Sequence, residues 1–300
     1  MKKIVVVGSA NTDMVIKSER IPLPGETILG GDFFMNMGGK GANQAVAAAR
    51  MGGVVTMVAK VGNDIFGRQT VDGLGKENIY TGYIFSDETH PSGTALILVN
   101  KEGENCIAVA PGANANLLPG DIGKVPVMQD ADVILIQLEI PMQTVAYVAA
   151  LAKKNKQAVI LNPAPAQTLT DELLNGLYLV TPNESEAFLL TEVTVTDESS
   201  ASQAADVFLS KGVQNVIITM GSKGAFFKNA AQSFLTGAPE VVVLDSTAAG
   251  DTFNGAIAVA ITENMDWPLA VHFAITAASV SVTRLGAQAS IPHRHELTSL

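Results

Sequence analysis

The stretch VVVLDSTAAGDTFNGA, residues 241–256, passes from an apolar run through a polar turn into a helix. The four aliphatic residues at 241–244 read as the end of a strand. Asp245, Ser246 and Thr247 make the turn, and Ala248, Ala249, Gly250 and Asp251 open a helical run that continues through 256–258. Small residues let the backbone come close to a ligand, and a helix start points free N–H groups and the positive dipole end forward. Such a place binds anions. Asp251 stands beside it, where a carboxylate could take the proton of a hydroxyl that attacks a phosphate. An ordinary capped helix with an acidic first turn accounts for the same residues equally well.

A second stretch, NMGGKGANQAVAAA at 36–49, runs a Gly-Gly-Lys-Gly turn into an Ala-rich helix. With GGKGANQA at 38–45 and DSTAAGDTFNG at 245–255, the chain resembles the ribokinase-like family of carbohydrate kinases. The likeness runs from the first strand to Pro292, and two long motifs in the right order are far more specific than a lone glycine pattern.

Composition sets the outer bounds. The chain is 47% apolar and 16% charged, as expected of a globular protein with a sizeable core. No apolar run approaches the ~18 residues of a membrane span. After Lys2 and Lys3 the apolar stretch at 4–7 is too short for the core of a signal peptide. The single cysteine, Cys106, allows no internal disulfide and fits a reducing cytoplasm. A net charge of −10, with no basic run, argues against nucleic acid as a partner. The four histidines and one cysteine show no zinc spacing.

The first strand, KIVVV at 3–7, is short and apolar and reads as a buried parallel strand. The Ser-Ala-Asn-Thr-Asp that follows Gly8 is not a Gly-x-Gly-x-x-Gly fingerprint, and no P-loop occurs anywhere. A hydride-transfer enzyme and a P-loop kinase are both disfavoured. Further strands are expected at 54–58, 133–137, 158–161, 177–180 and 216–219. Helices are expected at 42–51, 66–77, 144–153, 184–190, 201–210, 251–261 and 269–283. That alternation predicts an α/β fold, a mainly parallel doubly wound sheet flanked by helices. The segments 14–34 and 92–110 instead read as short exposed strands, the second as a hairpin. The resemblance implies that they form a small β-sheet lid, which also pairs with a second subunit. The expected division is a core of 1–12, 39–91 and 112–300 with a discontinuous lid of 13–38 and 92–111.

Taken alone, several polar residues have ordinary explanations. Asn11 and Asp13 lie past the carboxyl end of the first strand, where α/β sheets bind ligands, yet they also suit a polar turn. Gly38 and Gly39 could be a hinge, Lys40 a solvated charge and Glu139 a loop carboxylate. Asn183 and Glu186 suit a helix cap, and the Thr219–Gly224 stretch a plain turn. Gly286 suits a helix C-cap, and Ser290 an ordinary loop.

The resemblance implies more specific roles. Asn11, Thr12, Asp13, Gly39, Lys40, Gly41, Ala42, Asn43 and Glu139 would contact the sugar. Asp251 would be the base, and the N–H groups of Ala248, Ala249 and Gly250 the anion hole. Asn183 and Glu186 would organise Mg²⁺ through water. Thr219, Met220, Gly221, Ser222, Lys223 and Gly224, with Gly250 and Asn183, would hold the nucleotide. Ile275 stands where relatives carry a polar residue beside the adenine. Asp245, Thr247, Ser281, Arg284, Gly286 and Ser290 would bind K⁺. The reaction so implied is ATP-dependent phosphorylation of D-ribose at its 5-hydroxyl, in the cytoplasm, by a homodimer. A deoxyribokinase, a nucleoside kinase, another sugar kinase or a non-catalytic sugar-binding protein on the same fold are the alternatives. The absent dinucleotide fingerprint sets a nicotinamide oxidoreductase aside.

Overall fold

Four consecutive residues of strand β1 (Lys3–Val7) are fully buried, and they alternate between two cores. Ile4 and Val6 join one apolar cluster, Val5 and Val7 the other. An uninterrupted apolar strand is what a sheet covered on both faces requires, each buried side chain contributing roughly 1.5–3 kcal/mol. The computed structural model describes residues 2–299.

In chain order β1 is followed by β2 (Asn11–Lys17), β3 (Asp32–Gly38), α1 (Lys40–Arg50), β4 (Val54–Gly62), α2 (Ile65–Lys76) and β5 (Tyr80–Asp87). Then come β6 (Gly93–Val99), β7 (Asn105–Ala110), α3 (Pro119–Ile122), β8 (Val133–Ile136), α4 (Met142–Asn155), β9 (Ala158–Leu161), α5 (Asp171–Leu174) and β10 (Leu179–Val180). The chain continues through α6 (Glu184–Thr191), α7 (Glu198–Ser210), β11 (Asn215–Thr219), β12 (Ala225–Asn229), β13 (Ser233–Thr236), α8 (Ala249–Thr262) and α9 (Trp267–Ser281).

A nine-stranded sheet has the order β13-β12-β11-β10-β9-β8-β1-β4-β5. It is parallel from β5 to β11, and β12 and β13 are antiparallel additions at one edge. Helices α1, α8 and α9 pack on one face, α4 and α7 on the other. The Ala-rich sequence of α1 has a packing reason. Gly255 of α8 lies against Ala47 and the Ala48 backbone with no room for a Cβ, so the two helices run close together. Among the described residues no helix is long and apolar enough to cross a membrane.

A separate four-stranded sheet, β3-β2-β6-β7, forms from the two segments read as exposed strands. β2 pairs antiparallel with β3 and parallel with β6, and β6 and β7 make the expected hairpin.

Three features depart from the expectation. The apolar run at 241–244 belongs to neither sheet. It crosses the C-terminal end of α9, where the N–H groups of Leu244 and Asp245 donate to the Val282 carbonyl at 2.8 and 3.2 Å. Strands β5, β12 and β13 were not expected, because their mixed apolar and polar residues show no clear period. Phe226 and Phe227 of β12 nonetheless bury on opposite faces. Finally, α7 and α9 start earlier than 201 and 269, since Asp197 and Asp266 cap them by accepting the N–H groups of Ser200 and Leu269.

Candidate active site

Strand order reverses at β1, with β8 on one side and β4 on the other, and the crevice beyond the carboxyl ends of β1 and β8 is where such sheets place their sites. Ser9 and Asn11 follow β1, and Gln137 and Glu139 follow β8. The Ser9 hydroxyl donates to Glu139 Oε2 at 2.5 Å, and the Lys40 N–H donates to the same oxygen at 3.0 Å. Glu139 therefore sits at the N-terminus of α1 and ties it to both strands.

The Gly-Gly-Lys-Gly turn exists so that α1 can start there. Gly39 has φ +88°, and a Cβ on it would lie 2.7 Å from the Asn11 nitrogen. Gly41 is as tightly confined, with a Cβ placed 2.7 Å from the Gly8 and Ser9 backbone. Gly41 and Ala42 thus dock α1 on the loop after β1, the Ala42 N–H donating to the Ser9 carbonyl at 2.9 Å.

Asp251 lies in the first turn of α8 and is only 7% exposed. Its carboxylate accepts Asn43 Nδ2 on one oxygen and Gln44 Nε2 on the other, each at 2.9 Å. Asn43 Oδ1 is buried with no partner among the described residues. A buried acceptor left open in a crevice is a place for a ligand hydroxyl. The start of α8 has no side-chain cap, and Ala248 holds the left-handed conformation, φ +62°. The capped-helix reading is therefore set aside. Of the three N–H groups expected to form an anion hole, that of Ala249 donates to the Ser246 carbonyl at 3.2 Å. The N–H groups of Gly250 and Asp251, in the first helical turn, have no carbonyl one turn back to serve.

On β2, Asn11 and Asp13 point to one face of the small sheet and Thr12 to the other. Burial, reinforced by the carboxylates of Glu139 and Asp251, pushes the Asp13 carboxyl up to about 6. Asn11 is held by Asn114, whose Nδ2 donates to Asn11 Oδ1 at 2.7 Å. A cavity of about 400 Å³ opens beside Ser9, Asn11, Asn114 and Glu139.

A larger cavity, about 680 Å³, lies on the other side of the α8 start. Ala249, Gly250 and Ser246 line it, with Asn183, Thr219, Gly221, Ser222 and Gly224 opposite. Ile275, Ala278, Val282 and Val243 make an apolar wall, which Val241 extends, while Val242 and Leu244 are exposed outside it. Met220 is instead buried in the core, and the Lys223 ammonium is occupied by the Thr196 carbonyl at 2.7 Å. Neither side chain lines the cavity.

Asn183 and Glu186 form a reciprocal capping box on α6, with bonds of 2.8 and 2.9 Å. Their cap role is real. Burial raises the Glu186 carboxyl, the Asp251 charge adds to that and Lys40 opposes it. Among the described residues no three acidic, histidine or cysteine side chains cluster as for a fully protein-bound metal. Asn183 lines the larger cavity and Glu186 does not, and a single carboxylate of this kind would hold Mg²⁺ only through water and phosphate oxygens. Asp245 accepts the Thr247 and Gly286 N–H groups, each at 2.9 Å, so it joins the turn before α8 to the loop after α9. Against the opposing effect of burial, those hydrogen bonds and the nearby Lys17 charge hold the Asp245 carboxyl below its usual range. The Ser281 carbonyl accepts the Arg284 N–H at 3.1 Å, the Ser290 hydroxyl donates to Ala287, and Arg284 pairs with Glu296. A cation here would rest on Asp245 and backbone carbonyls, an oxygen set that suits K⁺.

Ser9, Gln44, Asn114, Gln137 and Asn162 belong to the site without having been singled out from the sequence. Gln44 and Asn114 had a visible signal: each is a polar amide among small residues, in GANQA and GANAN.

These features, a buried carboxylate at an uncapped helix start between a polar crevice and a larger cavity, fit a phosphotransferase of the carbohydrate kinase class. The chain matches the pfkB family of carbohydrate kinases over residues 1–294, and it belongs to that family. It is 44% identical to the ribokinase of Haemophilus influenzae over 98% of this chain and 97% of that one. The ribokinase structure from Thermotoga maritima superposes with a TM-score of 0.90 at 39% identity, covering 100% of this chain and 99% of that one. Ribokinase from Arabidopsis thaliana, complexed with ribose and ATP, gives a TM-score of 0.92 at 32% identity, covering 99% and 97%.

Proposed function

We propose that this chain phosphorylates D-ribose at its 5-hydroxyl with ATP, releasing ribose 5-phosphate and ADP. The sugar lies in the crevice with Asn11, Asp13, Gly39, Lys40, Asn43 and Glu139, and the nucleotide in the larger cavity. Asp251 accepts the 5-hydroxyl proton while that oxygen bonds to the γ-phosphorus and the bond to the ADP oxygen breaks. The first-turn N–H groups of α8 and its dipole stabilise the charge on the phosphoryl oxygens. Mg²⁺, when bound through water at Glu186 and Asn183, would neutralise phosphate charge. K⁺ at Asp245 would fix the turn before α8 without touching substrate.

The observation that carries this reading is the place of Asp251. It follows the cavity-lining Gly250, heads a helix with no side-chain cap, and is bonded to Asn43, whose own acceptor stands open. The aliphatic-walled cavity of this chain and the ribose- and ATP-bound relative support the same assignment.

ADP release measured over a panel of sugars tests it. Ribose should be the preferred acceptor, and 2-deoxyribose should have a markedly lower kcat/KM, because each buried polar group left unpaired costs ~1–3 kcal/mol. Equal values for the two sugars would move the assignment to a deoxyribokinase. Asp251→Asn keeps the shape and removes the base, and kcat should fall by ~10²–10⁴ while sugar and ATP binding change little.

A further inference from the structure

Gln44 is fully buried and all of its amide is used. One Nε2 hydrogen goes to Asp251 Oδ1 at 2.9 Å and the other to Asn162 Oδ1 at 3.0 Å, while Gln44 Oε1 accepts Gln137 Nε2 at 2.6 Å. The network ends on groups that cannot be turned round. An ionised carboxylate only accepts, and Asn162 Nδ2 donates to the Thr181 backbone carbonyl at 3.2 Å, which also only accepts. Asn162 must therefore present its oxygen to Gln44, and Gln44 its nitrogen to Asp251. Gln137 must then donate. It stands where Gly8 leaves space, since a Cβ on Gly8 would collide with it.

We infer that Gln44 is a positioning residue for the reaction: its carboxamide, locked by Gln137 and Asn162, holds the Asp251 carboxylate in one orientation toward the substrate hydroxyl. The inference rests on the kinase reading above. Asn43 supplies the second N–H to Asp251, but its buried Oδ1 has no partner among the described residues, so nothing on that side fixes its amide. Gln44 is paired at both ends of its amide. It is the constant partner of the base and the link between Asp251 on α8 and the sheet.

Two carboxylates face Asp251 from other elements, Asp13 from β2 and Glu186 from α6, and Glu139 and Lys40 act in turn on these. Removing an N–H donor from a carboxylate in that setting disfavours its ionised form and frees it to rotate.

Gln44→Met keeps the volume and removes both donors. The expected result is a kcat reduced by roughly 10–100-fold, with KM for ribose and ATP within about threefold of wild type. The acid limb of the kcat–pH profile should also move to higher pH. A purely structural role would lower the melting temperature and leave that limb in place. The inference is overturned if a variant melting near the wild-type temperature keeps kcat within about threefold and an unmoved acid limb. Because full burial puts folding at risk, Gln137→Met is measured alongside. It leaves both Asp251 contacts but removes the donor that locks Gln44, and it should lower kcat at least about threefold with KM unchanged. Wild-type kcat and pH profile in that variant would count equally against the inference. Asp251→Asn separates the two levels: if it stays active, the base assignment fails, whereas an inactive Asp251→Asn beside an unaffected Gln44→Met defeats the positioning role alone.

Discussion

Asp13 shows how a buried carboxylate in a crevice can weaken the fold that carries it. Its carboxyl, raised to about 6 by burial and by the Glu139 and Asp251 charges, holds its proton more tightly folded than unfolded. Its favourable contribution is thus complete below the ordinary carboxylate range and lost as pH rises through about 6. Asp13→Asn should accordingly stabilise the ligand-free protein at pH 7.5, on the order of 1–3 kcal/mol, and the gain should vanish near pH 4. Thermal melts of both forms across that range check this. The same variant should bind ribose more weakly, since a charged acceptor is lost from the crevice. A stability gain that persists unchanged at pH 4 would mean that the charge is not its cause.

Among the elements, the start of α8 and the loop after α9 act together through Asp245. Its two hydrogen bonds, to Thr247 and Gly286, fix the turn on which the free N–H groups of α8 depend. A K⁺ ion on this carboxylate and the nearby carbonyls would add positive field under the anion site. K⁺ should therefore raise kcat more than it tightens sugar binding. Na⁺ should activate less, because its radius suits a carbonyl cage less well. Asp245→Ala should abolish most of the response. Rates in KCl and NaCl at constant ionic strength decide the matter, and identical rates in both would exclude a specific cation effect. At the opposite helix, Gly39→Ala should cost both stability and sugar binding. The residue has φ +88° and its new methyl would press on the Asn11 nitrogen, displacing either α1 or β2. A loss of binding with an unchanged melting temperature would place the effect in the sugar contact alone.

For the whole molecule, the small sheet presents Asp13 on one face and a row of apolar residues on the other. Ile16, Phe33, Met35 and Leu96 share that second face by strand register, and all four are exposed. Such a patch is costly in a monomer and suits an interface with a second copy of the sheet. We propose that the sheet serves both as the lid over the sugar and as the contact of a homodimer. Sedimentation should give twice the chain mass of 31.3 kDa. Leu96→Glu with Phe33→Glu should shift the population to monomer and raise KM for the sugar through a looser lid. A wild-type monomer at micromolar concentration would remove the dimer.

Much of this protein was legible in its residues. The uninterrupted apolar runs at β1, β8 and β9 announced a sheet covered on both faces, because runs this short that alternate with longer helical segments put successive side chains on opposite faces. The two glycine-rich motifs marked where a backbone must approach closely, and they led to Asp251 and to the start of α1. Local pattern misled at 241–244, where Val241 and Val243 wall a cavity instead of pairing in a sheet. It was silent on β12 and β13, whose pairing is decided by the sheet edge they reach. It was also silent on the partners of Asp251. Gln44 lies 207 positions from Asp251 and Gln137 lies 93 from Gln44, and they meet because α1 packs on α8 and α8 on β8. Residue chemistry determined what Asp251 could do. Its orientation is a property of the packing, since a hydrogen bond has direction only once both of its ends have been brought into place.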